Sequence, residues 1–220
     1  MTMLQDRRSL TVDDLIAWLI RFDEQVTLQA EYLTELDSAI GDADHGTNMA
    51  RGTAAVRSRL EHARPDDAGA LLKSSAMTLV STVGGASGSL YGTLFLEMAK
   101  SVGAASELDT AAVAAVFRAG VAGVVARGRA EPGDKTMVDA LQPTVDALDA
   151  AVVAGTPLDE ALQAAAAAAA TGRDATLPLV ARKGRASYLG DRSADHLDPG
   201  ATSAAILVQS LADSHAERSR

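Results

Sequence analysis

Apolar residues along this chain return every three or four positions and nowhere alternate convincingly with polar ones, a periodicity that restricts the fold to helices packed on helices. No β-branched cluster stands between turn signals, which excludes βαβ units. Thr11 and Asp14 have capping-box spacing, and Leu15, Ile16, Trp18, Leu19 and Phe22 follow on one face. They predict a first helix, broken and resumed, that carries the chain to Asp37, with Trp18 as a core anchor. A second helix is expected over 47–63, stopped by Arg64-Pro65, and a third over 67–83, with Leu71, Leu72, Met77 and Leu79 as its apolar content. Another passes through Leu94, Phe95, Leu96 and Met98. Further helices are expected over 110–126, over 137–154 with Pro143 as a kink or first-turn residue, and from Pro157 past Gly172. The last covers Ala201 to about Ala212, and the polar end from Ser214 is expected to fray.

This makes about eight helices in a single domain over residues 1–220, an all-α bundle or barrel of antiparallel helices. The chain is long enough for one well-buried core, and aromatic residues at 3% beside abundant alanine imply helices packed closely through small side chains. In such a bundle alternate connections share an end, so the polar loops 37–48, 84–92, 128–136 and 183–200 can converge there. A formal charge of −9 argues against nucleic acid or an anionic membrane as partner. Without cysteine there is neither disulfide nor thiol chemistry. No apolar stretch follows a basic start and no apolar run is expected to reach membrane-spanning length, so the expected location is cytoplasmic.

The densest chemistry lies at Asp37–Asn48, DSAIGDADHGTN, with three carboxylates, His45 and two glycines between helical patterns. Like charges crowd unfavourably unless something positive sits among them. Asp42 and Asp44, two apart, leave an extended segment on the same side, and Asp37 can turn back from the preceding helix. Oxygen-only ligands suit a hard cation, and Mg²⁺ keeps positions open for phosphate oxygens. A calcium loop fits poorly: counting from Asp42, Gly46 falls at position five, Thr47 at six and Thr53 at twelve. Zinc lacks its cysteines and has one nearby histidine. Taken alone, the stretch is more often a turn with aspartate caps, and His45 more often a capping or structural histidine.

The stretch Gly84–Gly92, GGASGSLYG, matches no common phosphate loop and no nucleophile elbow, yet Gly84, Gly85 and Gly88 allow close backbone approach and Ser87 adds a hydroxyl. A close helix–helix turn explains it as well. Lys135 in Glu131–Thr136 is expected in a solvated turn, and Arg182, Lys183, Arg185 and Arg192 on a solvated basic face. Asp198-Pro199-Gly200 reads as a cap and turn. No Ser-His-Asp grouping assembles from the spacing, and His62, His196 and His215 are assigned nothing.

In combination, GDADHGTNM, VGGASGSLYGT, RGRAEPGDKTM and KGRASYLGDRSADHLDPGATS, in that order within Tyr32–Gln209, resemble the nucleotide-binding L subunits of bacterial dihydroxyacetone kinases. The resemblance implies a barrel of eight antiparallel helices with ADP or ATP held at one end. Asp37, Asp42 and Asp44 would ligate a pair of Mg²⁺ ions. His45, Gly46, Thr47 and Asn48 would line the phosphates, joined by Ala86 and Ser87. Gly128 and Met137 would hold the adenine end, and Arg185 with Asp198, Pro199 and Gly200 would close the site. Ser89 stands where many relatives have proline. The resemblance further implies a K-type subunit that holds dihydroxyacetone and a phosphocarrier M-type subunit fed by phosphoenolpyruvate, with ADP as a bound cofactor. The alternatives it leaves are an ATP-dependent kinase subunit for dihydroxyacetone or another short ketose such as erythrulose, and a non-catalytic nucleotide sensor. A homodimer stays open.

Overall fold

The computed structural model describes residues 9–219, and these form an all-α barrel with one short β-ribbon at its edge. The helices are α1 (Val12–Leu28), α2 (Ala30–Ile40), α3 (His45–His62), α4 (Ala68–Thr82), α5 (Gly85–Val102), α6 (Thr110–Gly128), α7 (Val138–Ala154), α8 (Leu158–Ala175) and α9 (Pro199–Arg218). A 3₁₀ stretch, Arg185–Ser193, lies between the last two. From α3 onward each helix packs on the next, α9 returns to α1, and α1 packs on α3, so eight helices close a ring. The extra helix arises because the first pattern breaks at Gln29; its second half, α2, covers the seam between α3 and α9.

The inside of the ring is filled by its few aromatics. Trp18 of α1 meets Phe95 of α5 and Phe117 of α6 at centroid separations of 5.8 and 6.1 Å, and Phe22 meets Tyr91 at 6.2 Å. The buried Trp18 indole N–H is satisfied by the carbonyl of Leu207 at 2.9 Å, which ties α1 to α9 across the closure. Around them the core is built mainly of leucine, valine and alanine, and glycines such as Gly120 let helix axes approach. Pro143 sits inside α7 without ending it. It has no N–H for the carbonyl of Asp139, and Gly172 of α8 packs against that carbonyl so closely that a Cβ there would lie 2.0 Å from the oxygen.

Four expectations are corrected. Ser9–Thr11 (β1) and Glu107–Asp109 (β2) form an antiparallel ribbon with Leu10 opposite Leu108, both buried. Each strand leads straight into a helix: Thr11 accepts from Asp14 N–H in a complete capping box, and Asp109 accepts from Ala112 N–H. The ribbon thus pins the starts of α1 and α6 together. α9 does not fray at Ser214, because Ser214 and His215 are buried and Arg218 pairs with the buried Asp14 at 2.7 Å. Met77, counted as apolar content of its helix, is 59% exposed, since its position faces outward with Val80. α6 is long and apolar enough to cross a membrane by length and composition alone, with a mean hydropathy of 1.5, but it takes its place in the ring between α5 and α7.

Candidate functional site

Antiparallel closure brings the N-termini of α3, α5, α7 and α9 to one end, where they surround a cavity of about 260 Å³. Each N-terminus turns the positive end of a helix dipole to the cavity, and that of α5, which no side chain caps, also offers N–H groups, so this end of the barrel favours anions. Yet carboxylates stand at the same mouth. Ligand oxygens of Asp37, Asp42 and Asp44 all lie within 4.8 Å of one another.

Local chemistry explains the arrangement of these acids. Asp37 belongs to the last turn of α2, and its Oδ2 accepts the N–H groups of Asp44 and His45 at 2.9 and 3.1 Å. It therefore caps α3 from outside that helix, while Asp44, the residue at the cap position, makes no such bond. Ala43, at φ 61°, turns the chain between Asp42 and Asp44. Gly41 leaves space for the Asp37 carboxylate, because a Cβ there would sit 2.0 Å from Oδ1. Gly46 presses on α2, where a Cβ would meet the Ala30 carbonyl at 1.9 Å. Arg185 from the 3₁₀ stretch reaches Asp42 at 3.0 Å. With one arginine against three close carboxylates and only oxygen donors, the cluster has the chemistry of a hard divalent cation site.

Across the cavity, α5 begins at Gly85, so Ala86 and Ser87 belong to its first turn and not to a loop as expected. Ser87 Oγ lies 3.1 Å from His45 Nδ1, and His45 Nε2 lies 2.9 Å from Ser203 Oγ. Tyr91 donates to the same Ser203 oxygen at 2.8 Å, and Ser203 donates to the Gly200 carbonyl at 3.1 Å. With Ser203's one proton on Gly200, His45 Nε2–H is the donor and Nδ1 accepts from Ser87. Burial lowers the His45 pKa, against the opposing pull of Asp37, Asp44 and the Pro199 carbonyl, and so keeps the ring neutral. Burial likewise pushes the Tyr91 phenol up, so it stays a donor.

The third wall is the 129–137 connection. Asp139, in the first turn of α7, accepts the N–H groups of Gly133 and Thr136, and Asp134 accepts that of Glu131. Although burial opposes it, Asp134 is held below the usual carboxylate range by Glu131 N–H and by Arg182, whose Nε lies 2.7 Å away. Lys135 is not in a solvated turn. It is 1% exposed, at φ 63°, with its ammonium among main-chain carbonyls. Nor do the basic residues simply form a solvated face, since Arg182 and Arg185 are paired with Asp134 and Asp42. Asp198 caps α9 through Ala201 N–H at 2.6 Å, and burial pushes its carboxyl up to about 7.

The structure brings Asp37, Asp42, Asp44, His45, Asn48, Ala86, Ser87, Met137, Arg185, Asp198, Pro199 and Gly200 to this one cavity. Gly46, Thr47 and Gly128 do not line it: Gly46 is buried against α2, Thr47 faces out, and Gly128 stands behind Leu90, which does line it. Sequence reasoning missed Tyr91, Ser203 and Lys135. Tyr91 and Ser203 carried no signal, because their partners lie 112 residues apart in the chain.

A family model described as the DAK2 domain matches residues 39–213. The ADP-binding subunit DhaL of the PEP-dependent dihydroxyacetone kinase of Escherichia coli (strain K12) is 45% identical over 204 residues, covering 93% of this chain and 97% of that protein. The corresponding subunit of the PTS-dependent kinase of Lactococcus lactis is 42% identical over 202 residues, covering 92% and 97%. Among solved structures, the dihydroxyacetone kinase of C. freundii in complex with AMP-PNP and Mg²⁺ superposes with a TM-score of 0.70 at 28% identity. That likeness covers 91% of this chain but only 34% of the longer kinase chain.

Proposed function

The chain belongs to the DAK2-domain family, and on that premise we propose that it is the ADP-binding subunit of a phosphoenolpyruvate-dependent dihydroxyacetone kinase. The observation that carries this reading is the opposition, across one cavity, of a three-carboxylate cluster and the convergent N-termini of four helices. Neither half is stable with the other's natural counter-ion alone; a metal–diphosphate satisfies both.

Asp37, Asp42 and Asp44 hold the metal, taken as two Mg²⁺ ions, whose charge offsets the carboxylates and the phosphates together. Mg²⁺ supplies charge neutralisation at the phosphoryl group. The chain itself supplies position. The first turn of α5 directs main-chain N–H groups and α3 the Asn48 side chain at the phosphates, while the Ser87 hydroxyl stays on His45, which Ser203 and Tyr91 fix in one tautomer. Ile40, Leu90 and Met137 give the cavity an apolar part for the adenine. Arg185 can leave Asp42 for a phosphate once metal occupies the acids. Phosphoryl transfer is mostly a matter of positioning and electrostatics, which agrees with a site built without a protein nucleophile.

The partners in this role are a phosphocarrier subunit that recharges the nucleotide and a K-type subunit that presents dihydroxyacetone, and the place of action is the cytoplasm. Reconstitution tests it: with both partners and phosphoenolpyruvate, the wild type should form dihydroxyacetone phosphate and carry ADP through many turnovers, while Asp42→Ala and Asp44→Ala should abolish product. Product formation by either variant at the wild-type rate would sink the assignment. Turnover with free ATP and no phosphocarrier would move the chain to the ATP-dependent kinases.

A further inference from the structure

Lys135 uses all three of its ammonium donors on main-chain oxygens: the carbonyls of Thr176 and Leu179 at 2.9 Å each and that of His196 at 2.6 Å, with Leu177 at 3.4 Å. Thr176 is the C-cap of α8, so the cation also meets the negative end of that helix dipole. His196 lies just before Asp198, which opens α9. The lysine therefore stands between the two ends of the α8–α9 connection and closes it into a loop. Between those ends lie Lys183, Gly184, Arg185 and Ala186, which line the cavity.

The loop's own bonds support the closure. Asp195 N–H reaches the Leu177 carbonyl at 2.8 Å, Asp198 N–H reaches Thr176 Oγ1 at 3.0 Å, and Ser193 Oγ accepts from Ala181 N–H at 2.8 Å. A second tie to the same 129–137 wall is Arg182 on Asp134. Burial lowers the Lys135 pKa, but Asp198 and Asp195 oppose it, and four carbonyl acceptors around the nitrogen favour the ammonium, which offers them three donors. The position also requires a left-handed backbone, which lysine tolerates only where its contacts enforce it.

We propose that Lys135 is a positioning residue for nucleotide retention: its ammonium clasps the carbonyl ends of the 176–198 connection and so holds Arg185 and its neighbours over the bound nucleotide. The inference rests on the nucleotide-subunit reading, and it assigns the retention of ADP which that reading requires to a cation built into the chain. Removing that cation should speed release and leave the acidic metal site untouched.

Lys135→Gly suits the positive φ and leaves a carbonyl-lined hole that K⁺ or n-butylammonium can fill, whereas Lys135→Met fills the space without charge. Release of fluorescent ADP from each protein, loaded with Mg²⁺ in choline chloride buffer, would be followed after mixing with excess ADP. Lys135→Gly should release about tenfold faster or more, since three buried carbonyls lose their partner. KCl or n-butylammonium should slow it again, and neither should slow Lys135→Met. Wild-type release rates in both variants, or fast release from Lys135→Gly that no cation slows, would overturn the proposal. Should neither variant fold, amide hydrogen exchange of the wild type decides: protection of Asp195 and Arg182 comparable to that of α9 supports the clasp, and free exchange there refutes it. A wild type that binds no Mg²⁺–ADP would defeat the functional reading, while hydrogen exchange would still test the clasp.

Discussion

Asp37 carries two duties that a pair of substitutions separates. One oxygen, Oδ2, takes both N–H groups at the start of α3, and the other is free to join Asp42 and Asp44. Asparagine can place its amide oxygen where Oδ2 stands and keep both bonds, giving up only their charge assistance, about 1 kcal/mol in all. Alanine gives up both bonds, and loss of a capping acceptor beneath two N–H groups costs roughly 2–3 kcal/mol. Either change relieves some like-charge crowding in the metal-free protein, which makes these upper values. At this chain length each kcal/mol moves Tm by about 2–4 °C. Without metal, Asp37→Asn should therefore melt within about 4 °C of wild type and Asp37→Ala roughly 4–12 °C lower. Both should lose Mg²⁺-dependent binding of ADP, because an amide oxygen is a poor substitute for a carboxylate on a hard cation. Differential scanning calorimetry in EDTA and calorimetric titration with Mg²⁺–ADP read the two duties independently. An Asp37→Asn variant that binds Mg²⁺–ADP like wild type, or an Asp37→Ala variant with unchanged metal-free Tm, would refute the division.

Other consequences follow from single contacts. Gly46→Ala forces a methyl onto the Ala30 carbonyl and should cost about 1–3 kcal/mol by overpacking, read as a Tm lower by several degrees; an unchanged Tm would mean that α2 and α3 are farther apart than described. Arg218→Ala should lower Tm by about 2–4 °C if α9 runs to its observed end, and by nothing if that end frays. The raised pKa of Asp198, about 7 in the fold against an ordinary unfolded carboxyl near 4, means that the metal-free fold binds the extra proton. Its stability contribution is therefore present below about pH 4 and is lost as pH rises to about 7, by a few kcal/mol. Asp198→Asn should flatten that fall in a pH series of melting curves, and an unchanged slope would contradict the assignment.

Much of this was legible in the chain because it is local. Helical periodicity marks every helix of the ring, and Asp37, Asp42, Asp44 and His45 are close enough in sequence for their meeting to be expected. What escaped depends on distance. β1 and β2 have three residues each and one inward leucine apiece, too little for alternation to register, and they pair across nearly a hundred positions. The polar end of α9 looks like a tail until Asp14, 204 residues earlier, is found beneath Arg218. Lys135 in GDKT looks solvated because nothing nearby in sequence reveals the carbonyls, 41 to 61 residues on, that receive its ammonium. Met77 shows the opposite limit: in an alanine-rich helix a large apolar side chain is easily credited to the core when it faces out.

The central claim is that the acids and the helix N-termini bind one composite ligand, a divalent metal with a nucleoside diphosphate. Titration calorimetry of the nucleotide-stripped protein with ADP, in Mg²⁺ and again in EDTA, tests it most directly. The account predicts tight binding in Mg²⁺ and at least about a hundredfold weaker binding in EDTA, as expected when four helix ends must hold a diphosphate beside three uncompensated carboxylates. Equal affinity in the two buffers, or none in either, would contradict it.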